Sequence, residues 1–282
     1  MKLEEWLRKG EAHLSAGPHP ERARQDAEAL LLHVVRCERA ALLVRWKEVL
    51  DAVEAASYLA LLERRLAGEP IQYIIGETEF YGLPFRVTRE VLIPRPETEH
   101  LVEKALELAV EFQPPRIVDV GAGSGAIAVA LACKLSQAAV TATDLSSPAL
   151  AIARQNAERN GVSSRIRFLR GDLLAPVKEE QFEIVVSNPP YVPAGDRAGL
   201  AVEVREYEPA LALFAGGDGL DVFRRLIPAA FAALIPGGFV ALEIGFGEAQ
   251  AIAGLLMDAG FESIEFVPDL QNIPRVACAR RP

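Results

Sequence analysis

Residues 117 to 135 constrain this chain most. A β-branched run, Ile117-Val118-Asp119-Val120, enters three glycines at alternating positions, Gly121, Gly123 and Gly125, and leaves them into an apolar stretch from Ile127 to Leu135. Short β-branched runs bounded by turn residues read as buried strands, and longer apolar stretches as helices. The segment is therefore a strand, a tight turn and a helix. The pattern continues with strands at Val140 to Thr143, Ile166 to Leu169, Ile184 to Ser187, Phe239 to Ile244, Ser263 to Val267 and Val276 to Ala279, and with a helix at Pro148 to Asn160. Parallel neighbours need a crossover, so this alternation predicts an α/β unit with a mostly parallel seven-stranded sheet and helices on both faces. The last two strands are joined too briefly for a helix, which predicts an antiparallel edge hairpin.

What precedes the sheet has a different texture. Up to about residue 75 apolar positions fall at helical spacing, as in Ala23, Ala27, Leu30, Leu31 and Val34 after Pro20, where a proline suits a helix start. A second helix is predicted from Asp51 to Ala67, with Gly68 just past its end and Pro70 beyond. From Ile71 to Val91 the sequence alternates and gathers aromatics, with Gly82 near a turn, which predicts a β-hairpin linker. Pro96 then opens a helix whose first turn holds Glu97 and Glu99, as the helix dipole prefers. Arg95 and Glu97 could instead border a pocket, but capping accounts for them without any function. The predicted organisation is a helical domain at 1–75, the hairpin at 76–94 and the α/β domain at 95–282.

Charge and cysteine usage exclude several classes. The 282 residues include 30 basic and 39 acidic side chains, a net charge of -9, and no basic run tracks a phosphate backbone, which argues against stable nucleic-acid binding. Cys37, Cys133 and Cys278 are scattered without a CxxC pair. That suits reduced thiols and neither a disulfide framework nor a metal site. The start carries Glu4 and Glu5 where a signal peptide would be apolar, and no apolar run reaches membrane-spanning length. A cytoplasmic protein without membrane attachment is expected.

The strand ends carry the chemistry. Gly121, Ala122, Gly123, Ser124 and Gly125 place bare backbone where a nucleoside would approach. The GxGxxA spacing also satisfies dinucleotide sites, so an NAD-dependent oxidoreductase stays open at this point. Asp144 ends the second strand at the spacing of an acid that grips a ribose diol; as a helix N-cap it would compete with Ser146 or Ser147. Asp172 and Leu173 end the third strand, where an acid and an apolar neighbour could meet the amine and face of an adenine. Asp119 would repel a pyrophosphate and suits a cationic ligand such as S-adenosylmethionine, or else braces the loop.

The fourth strand ends in Ser187-Asn188-Pro189-Pro190-Tyr191. Asn-Pro is also a common turn opener. Beside the other three tips, however, it reads as an acceptor site for methyl transfer to a planar nitrogen. Such a nitrogen is a poor nucleophile because its lone pair is delocalised. The Asn188 side-chain carbonyl and the Pro189 backbone carbonyl can each accept one of its N–H groups and stabilise the charge it gains in the transition state. Pro190 holds the carbonyl directions and Tyr191 can stack on the substrate. No general base is required, and His13, His19, His33 and His100 lie outside this crevice.

With these residues in view, the chain resembles the bacterial release factor glutamine methyltransferases, the HemK/PrmC group. The resemblance is carried by Gly68-Glu69-Pro70-Ile71-Gln72-Tyr73-Ile74, Phe80-Tyr81-Gly82, Leu92-Ile93-Pro94-Arg95-Pro96-Glu97-Thr98-Glu99, the loop from Asp119 to Gly125 and Ser187 to Tyr191. It spans nearly the whole chain. It implies a Rossmann-like class I S-adenosylmethionine-dependent methyltransferase domain, with S-adenosylmethionine held by Gly121 through Gly125, Asp144, Leu173 and Asn188. It implies as acceptor the glutamine of the Gly-Gly-Gln loop of class I peptide release factors, seated on Asn188 through Tyr191, with the helical domain and hairpin gripping the release factor elsewhere. Some members carry an aromatic where Leu173 stands, so adenine contact here would be apolar packing. The chain is expected to act as a monomer. An N6-adenine or N2-guanine methyltransferase is the alternative, since Asn188 and Tyr191 would grip a flipped base equally well. A binding module without turnover is a further one.

Overall fold

The computed structural model describes residues 1–282, the side chain of Leu43 excepted. The chain divides into two compact units, Met1–Gly76 with Leu200–Tyr207, and Glu77–Gly199 with Glu208–Pro282.

The first unit is helical: α1 (Leu3–Leu14), α2 (Ala23–Val35), α3 (Arg39–Val44), α4 (Ala52–Leu66) and α5 (Ile71–Ile75). Local chemistry sets the helix ends. Asp51 accepts the Glu54 N–H at 2.8 Å while Glu54 accepts the Asp51 N–H at 3.0 Å, a reciprocal cap on α4. Beyond the other end of α4, Gly68 takes a φ of 90°. Leu3, Leu7, Leu30, Leu31 and Leu62 form the core around Tyr58, whose ring meets Trp6 edge-on at 6.0 Å.

Two features of this unit depart from expectation. Ile71–Ile75 is a helical turn and not the start of the hairpin. Pro70 opens it and Gly76 closes it at a φ of 87°, so the apolar residues of this short run pack at helical spacing. The segment Leu200–Tyr207, in the middle of the predicted α/β domain, belongs with the helices. Its Glu203 carboxylate accepts from Arg65 Nη1 at 3.0 Å, and the Tyr207 hydroxyl donates to the Ala67 carbonyl at 3.1 Å. Arg65 is itself buried and pairs with Asp26 at 2.6 Å.

The second unit begins with a hairpin, β1 (Glu77–Phe80) and β2 (Leu83–Arg86). Its two turn residues, Tyr81 and Gly82, have φ of 54° and 70°, the left-handed pair that matches strand twist in two-residue hairpins. The rest alternates: α6 (Glu99–Ala109), β3 (Arg116–Val120), α7 (Ala126–Lys134), β4 (Ala139–Asp144), α8 (Ser147–Arg159), β5 (Ile166–Arg170) and β6 (Phe182–Ser187). After α9 (Val202–Tyr207), which lies in the first unit, come α10 (Asp221–Ala233), β7 (Leu234–Glu243), α11 (Ala249–Asp258), β8 (Glu262–Pro268) and β9 (Pro274–Arg280).

The seven strands are ordered β5-β4-β3-β6-β7-β9-β8. The first five in that order are parallel, and β9 runs antiparallel between β7 and β8. Alternate strand residues point to opposite faces. Ile117, Ile184 and Val186 meet Leu101 of α6 and Leu131 of α7. Val118, Val185 and Val240 meet Phe223 and Ile227 of α10 and Ile252 of α11. Both faces are thereby covered, which is why the strands are near-continuous apolar runs. The chain runs from β3 outward to β5 and returns on the other side of β3 at β6, which opens a crevice at the carboxyl ends of these strands. No helix among the described residues is long and apolar enough to cross a membrane.

Candidate active site

The glycine turn after β3 adopts three left-handed conformations, with φ of 76°, 55° and 80° at Gly121, Gly123 and Gly125. Two of them leave space. A Cβ on Gly121 or Gly123 would meet nothing within 4 Å, whereas one on Gly125 would lie 3.0 Å from the Ala153 Cβ. Gly125 thus serves the close packing of α7 on α8. The turn is pinned to the neighbouring strand: the N–H groups of Gly121 and Ala122 both donate to the Thr143 carbonyl, at 2.8 and 3.0 Å.

Asp144 adds to that anchoring. Its Oδ2 accepts the Gly123 N–H at 2.8 Å and its Oδ1 the Ser146 N–H at 2.7 Å. Ser146 in turn caps α8 through the Ala149 N–H at 3.2 Å, so Asp144 is not the helix cap. Each carboxylate oxygen keeps a lone pair for a further donor.

A crevice of about 290 Å³ opens here, lined by Gly121, Ala122, Gly123, Ser124, Asp144, Leu145, Asp172, Leu173, Asn188 and Pro190. Three other residues singled out from the sequence, Gly125, Pro189 and Tyr191, stand outside this lining. Pro189 is buried. Asp172 is exposed and its carboxylate pairs with Arg225, so the acid read as an adenine contact already has a cation. Leu173 beside it holds a φ of 50°.

Asp119 does not reach the crevice. It is fully buried, one oxygen accepts the Ala128 N–H at 3.1 Å, and the other has no partner among the described residues. Burial pushes its pKa up to about 7, opposed by that hydrogen bond. That bond ties Asp119 to the first turn of α7, and Asp119 is not part of the crevice lining.

The acceptor side is built from distant segments. Asn188 Nδ2 donates to Thr98 Oγ1 at 3.1 Å. Thr98 stands at the N-cap position of α6, yet its side chain makes no capping bond. The Tyr191 hydroxyl donates to Glu243 Oε1 at 3.4 Å. Glu243 is buried at the carboxyl end of β7, with Oε2 lacking a hydrogen-bond partner among the described residues. Burial pushes its pKa up to about 7, and contacts with the Thr98 and Tyr191 hydroxyls oppose the rise. Burial also raises the Tyr191 phenol. Arg95 lines the crevice and pairs with buried Glu208 at 2.5 Å. Immediately after Tyr191 the chain is tied down, since the Val192 N–H donates to the Leu213 carbonyl at 2.8 Å and the Ala215 N–H to the Val192 carbonyl at 3.0 Å.

Thr98 and Glu243 are the neighbours that sequence reading missed, while Arg95, which capping alone explained in the sequence, does border the pocket. Glu243 had a signal: it ends a buried strand with an acid, as Asp144 does. Thr98 stood inside the Leu92–Glu99 stretch that carries the resemblance, but nothing local marked its hydroxyl, because its partner Asn188 lies far along the chain.

Sheet order, glycine turn and crevice together define a class I methyltransferase fold. A "Methyltransferase from Pyrococcus furiosus" of known structure is similar to it, with a TM-score of 0.51 and 22% identity over 72% of this chain and 90% of that one. Family models match as well, the PrmC N-terminal domain over residues 5–76 and the methyltransferase small domain over residues 98–218. The release factor glutamine methyltransferase of Deinococcus radiodurans is 44% identical over 283 aligned residues, covering 100% of this chain and 99% of that protein. The protein of the same name from Geobacter sulfurreducens is 43% identical over 260 residues, 92% of this chain and 90% of that one. The chain belongs to the release factor glutamine methyltransferase family.

Proposed function

We propose that this protein transfers a methyl group from S-adenosylmethionine to the side-chain amide nitrogen, N5, of the glutamine in the Gly-Gly-Gln loop of class I peptide chain release factors. The observation that carries the reading is the Asn188 amide. Its nitrogen is committed to Thr98, which leaves its carbonyl oxygen for an N–H donor beside a crevice lined by open backbone at Gly121 and Gly123.

The crevice suits the cofactor. The glycine turn admits a close approach of ligand to backbone, Asp144 has lone pairs left for a diol, and Leu145 and Leu173 offer apolar surface. Gly121 through Ser124, Asp144 and Leu173 would hold it, and Asp172 would contribute only after parting from Arg225. When bound, S-adenosylmethionine supplies an electrophilic methyl group.

The chain's own residues handle the acceptor. Asn188 Oδ1 and the Pro189 carbonyl take the two N–H groups of the glutamine amide and hold the nitrogen with one lobe free. As that nitrogen becomes cationic, both acceptors bind it more tightly, so their effect falls on the transition state and not on substrate binding. The proton that is then released is acidic enough to leave to water. Tyr191, its hydroxyl turned to Glu243, gives the acceptor loop a fixed wall. The helical unit would recognise the release factor outside the glutamine loop.

Incubation with isotope-labelled S-adenosylmethionine and purified release factor, followed by peptide mapping, tests the proposal. Label on the glutamine of the Gly-Gly-Gln loop is the expected result. An unlabelled loop at saturating cofactor, or label found on RNA or DNA, would refute it.

A further inference from the structure

We propose that Glu243, acting through Thr98, is a positioning residue that fixes which end of the Asn188 amide faces the acceptor. The inference rests on the reading of Asn188 as the group that receives the glutamine N–H.

An asparagine amide is nearly symmetric in shape, so packing alone does not distinguish its oxygen from its nitrogen. Hydrogen-bond polarity does. Glu243, ionised, is an acceptor only. The Tyr191 hydroxyl donates to its Oε1 at 3.4 Å, and the Thr98 hydroxyl lies beside the same carboxylate, toward which its single hydrogen would point. The Thr98 oxygen is then left with lone pairs, which accept from Asn188 Nδ2 at 3.1 Å. With the nitrogen so placed, Oδ1 must face the other way, toward the acceptor. An inverted amide would set its NH2 against the substrate NH2, donor against donor.

Two further observations bear on this arrangement. Thr98 makes no side-chain cap on α6, so its hydroxyl is not spent on a backbone N–H there. Glu243 is buried with one oxygen lacking a hydrogen-bond partner among the described residues. A carboxylate kept there at such a desolvation cost calls for a role that a neutral residue would not fill.

Protonation of Glu243 would undo the polarity. A carboxylic acid can donate to Thr98, which frees the Thr98 hydrogen for Asn188 Oδ1 and makes the inverted amide equally well bonded. The charged and titratable groups that act on Glu243 are Tyr191 from the acceptor loop, Glu97 ahead of α6, which favours the protonated form, and Arg275 of β9, which favours the ionised form. Burial outweighs Arg275, and the carboxyl titrates at about 7. The acceptor geometry is therefore set on the alkaline side of that value.

The test compares wild type with Thr98→Val, Thr98→Ser and Glu243→Gln. Turnover of release factor methylation is followed from about pH 6 to about pH 9 at saturating substrates, with S-adenosylmethionine affinity measured by calorimetry as a check on folding. Thr98→Val keeps the shape and loses the relay, so turnover falls about tenfold or more while cofactor affinity stays within about twofold. Thr98→Ser recovers most of the turnover. Wild-type turnover rises with pH through about 7, and Glu243→Gln, which can donate or accept, is slower and lacks that rise. Wild-type turnover in Thr98→Val, or an unaltered pH step in Glu243→Gln, would overturn the relay alone. A wild-type protein that leaves the glutamine unmodified would instead overturn the reading beneath it.

Discussion

Asp144 Oδ2 accepts the Gly123 N–H at 2.8 Å, so the end of β4 holds the turn that follows β3. The same carboxylate holds Ser146 through its other oxygen. Removing it should open the turn as well as delete a ligand contact. Asp144→Ala is expected to weaken S-adenosylmethionine binding by about tenfold to a hundredfold, the worth of one or two hydrogen bonds to a charged group. Isothermal calorimetry checks this, and turnover at saturating cofactor should be nearly preserved.

The glycines of that turn should separate by role. Gly125→Ala places a Cβ 3.0 Å from Ala153 at a φ of 80°. It is expected to cost about 2–4 kcal/mol of stability through strain and overpacking together. Gly121→Ala meets no neighbour within 4 Å, so only its left-handed φ is penalised, by about 1–2 kcal/mol. Its main effect should be weaker cofactor binding, because the added methyl enters the crevice. Urea unfolding beside calorimetry distinguishes the two.

Sheet and turn were legible for a physical reason: buried parallel strands are apolar on both faces, and each ends abruptly in glycine, acid or proline. The five parallel strands could be read that way, and β8 and β9 as short runs joined too briefly for a helix. Thr98 could not, because Pro96 and Glu97 explained the segment as a helix start while the hydroxyl's partner, Asn188, lies on β6's far end. Ile71–Ile75 was misread because a five-residue apolar run fits period 2 and period 3.6 alike. The segment Leu200–Tyr207 joins the helical unit through Glu203 and Tyr207, single polar side chains with no periodic signal to mark them.

Stability should depend on pH with a definite sign. Asp119 and Glu243 both have pKa values raised by burial to about 7, from ordinary values of 3.8 and 4.5. A raised carboxyl binds its proton more tightly in the native state than in the unfolded one. Its contribution is full below the ordinary value and is lost as pH rises through the folded value. The unfolding free energy should therefore fall between about pH 4 and about pH 7 on account of these two groups. Asp119→Asn, which cannot ionise, should flatten that slope, and denaturation series at several pH values measure it. An unchanged slope would mean that Asp119 ionises in the fold at its ordinary value, with no shift for folding to gain from.

Arg65 gives a test within the helical unit. It is buried, with Asp26 at 2.6 Å and Glu203 at 3.0 Å. Arg65→Ala would strand Asp26 without its cation, an effect of about 3–5 kcal/mol. Arg8, exposed and paired only with Glu4 on the same helix face, should lose less than about 0.5 kcal/mol on the same change. Guanidinium unfolding compares the two. Limited proteolysis should find the 200–207 segment newly susceptible in Arg65→Ala.

The central claim is that Asn188 acts on the transition state and not on the bound cofactor. Single-turnover methylation of release factor by wild type and by Asn188→Ala, with S-adenosylmethionine affinity measured on both, tests it directly. The account predicts a rate lower by about a hundredfold in the variant, the worth of one aligned acceptor, with cofactor affinity nearly unchanged. A variant that methylates the glutamine at the wild-type rate, or one that loses rate only in proportion to lost cofactor binding, would contradict it.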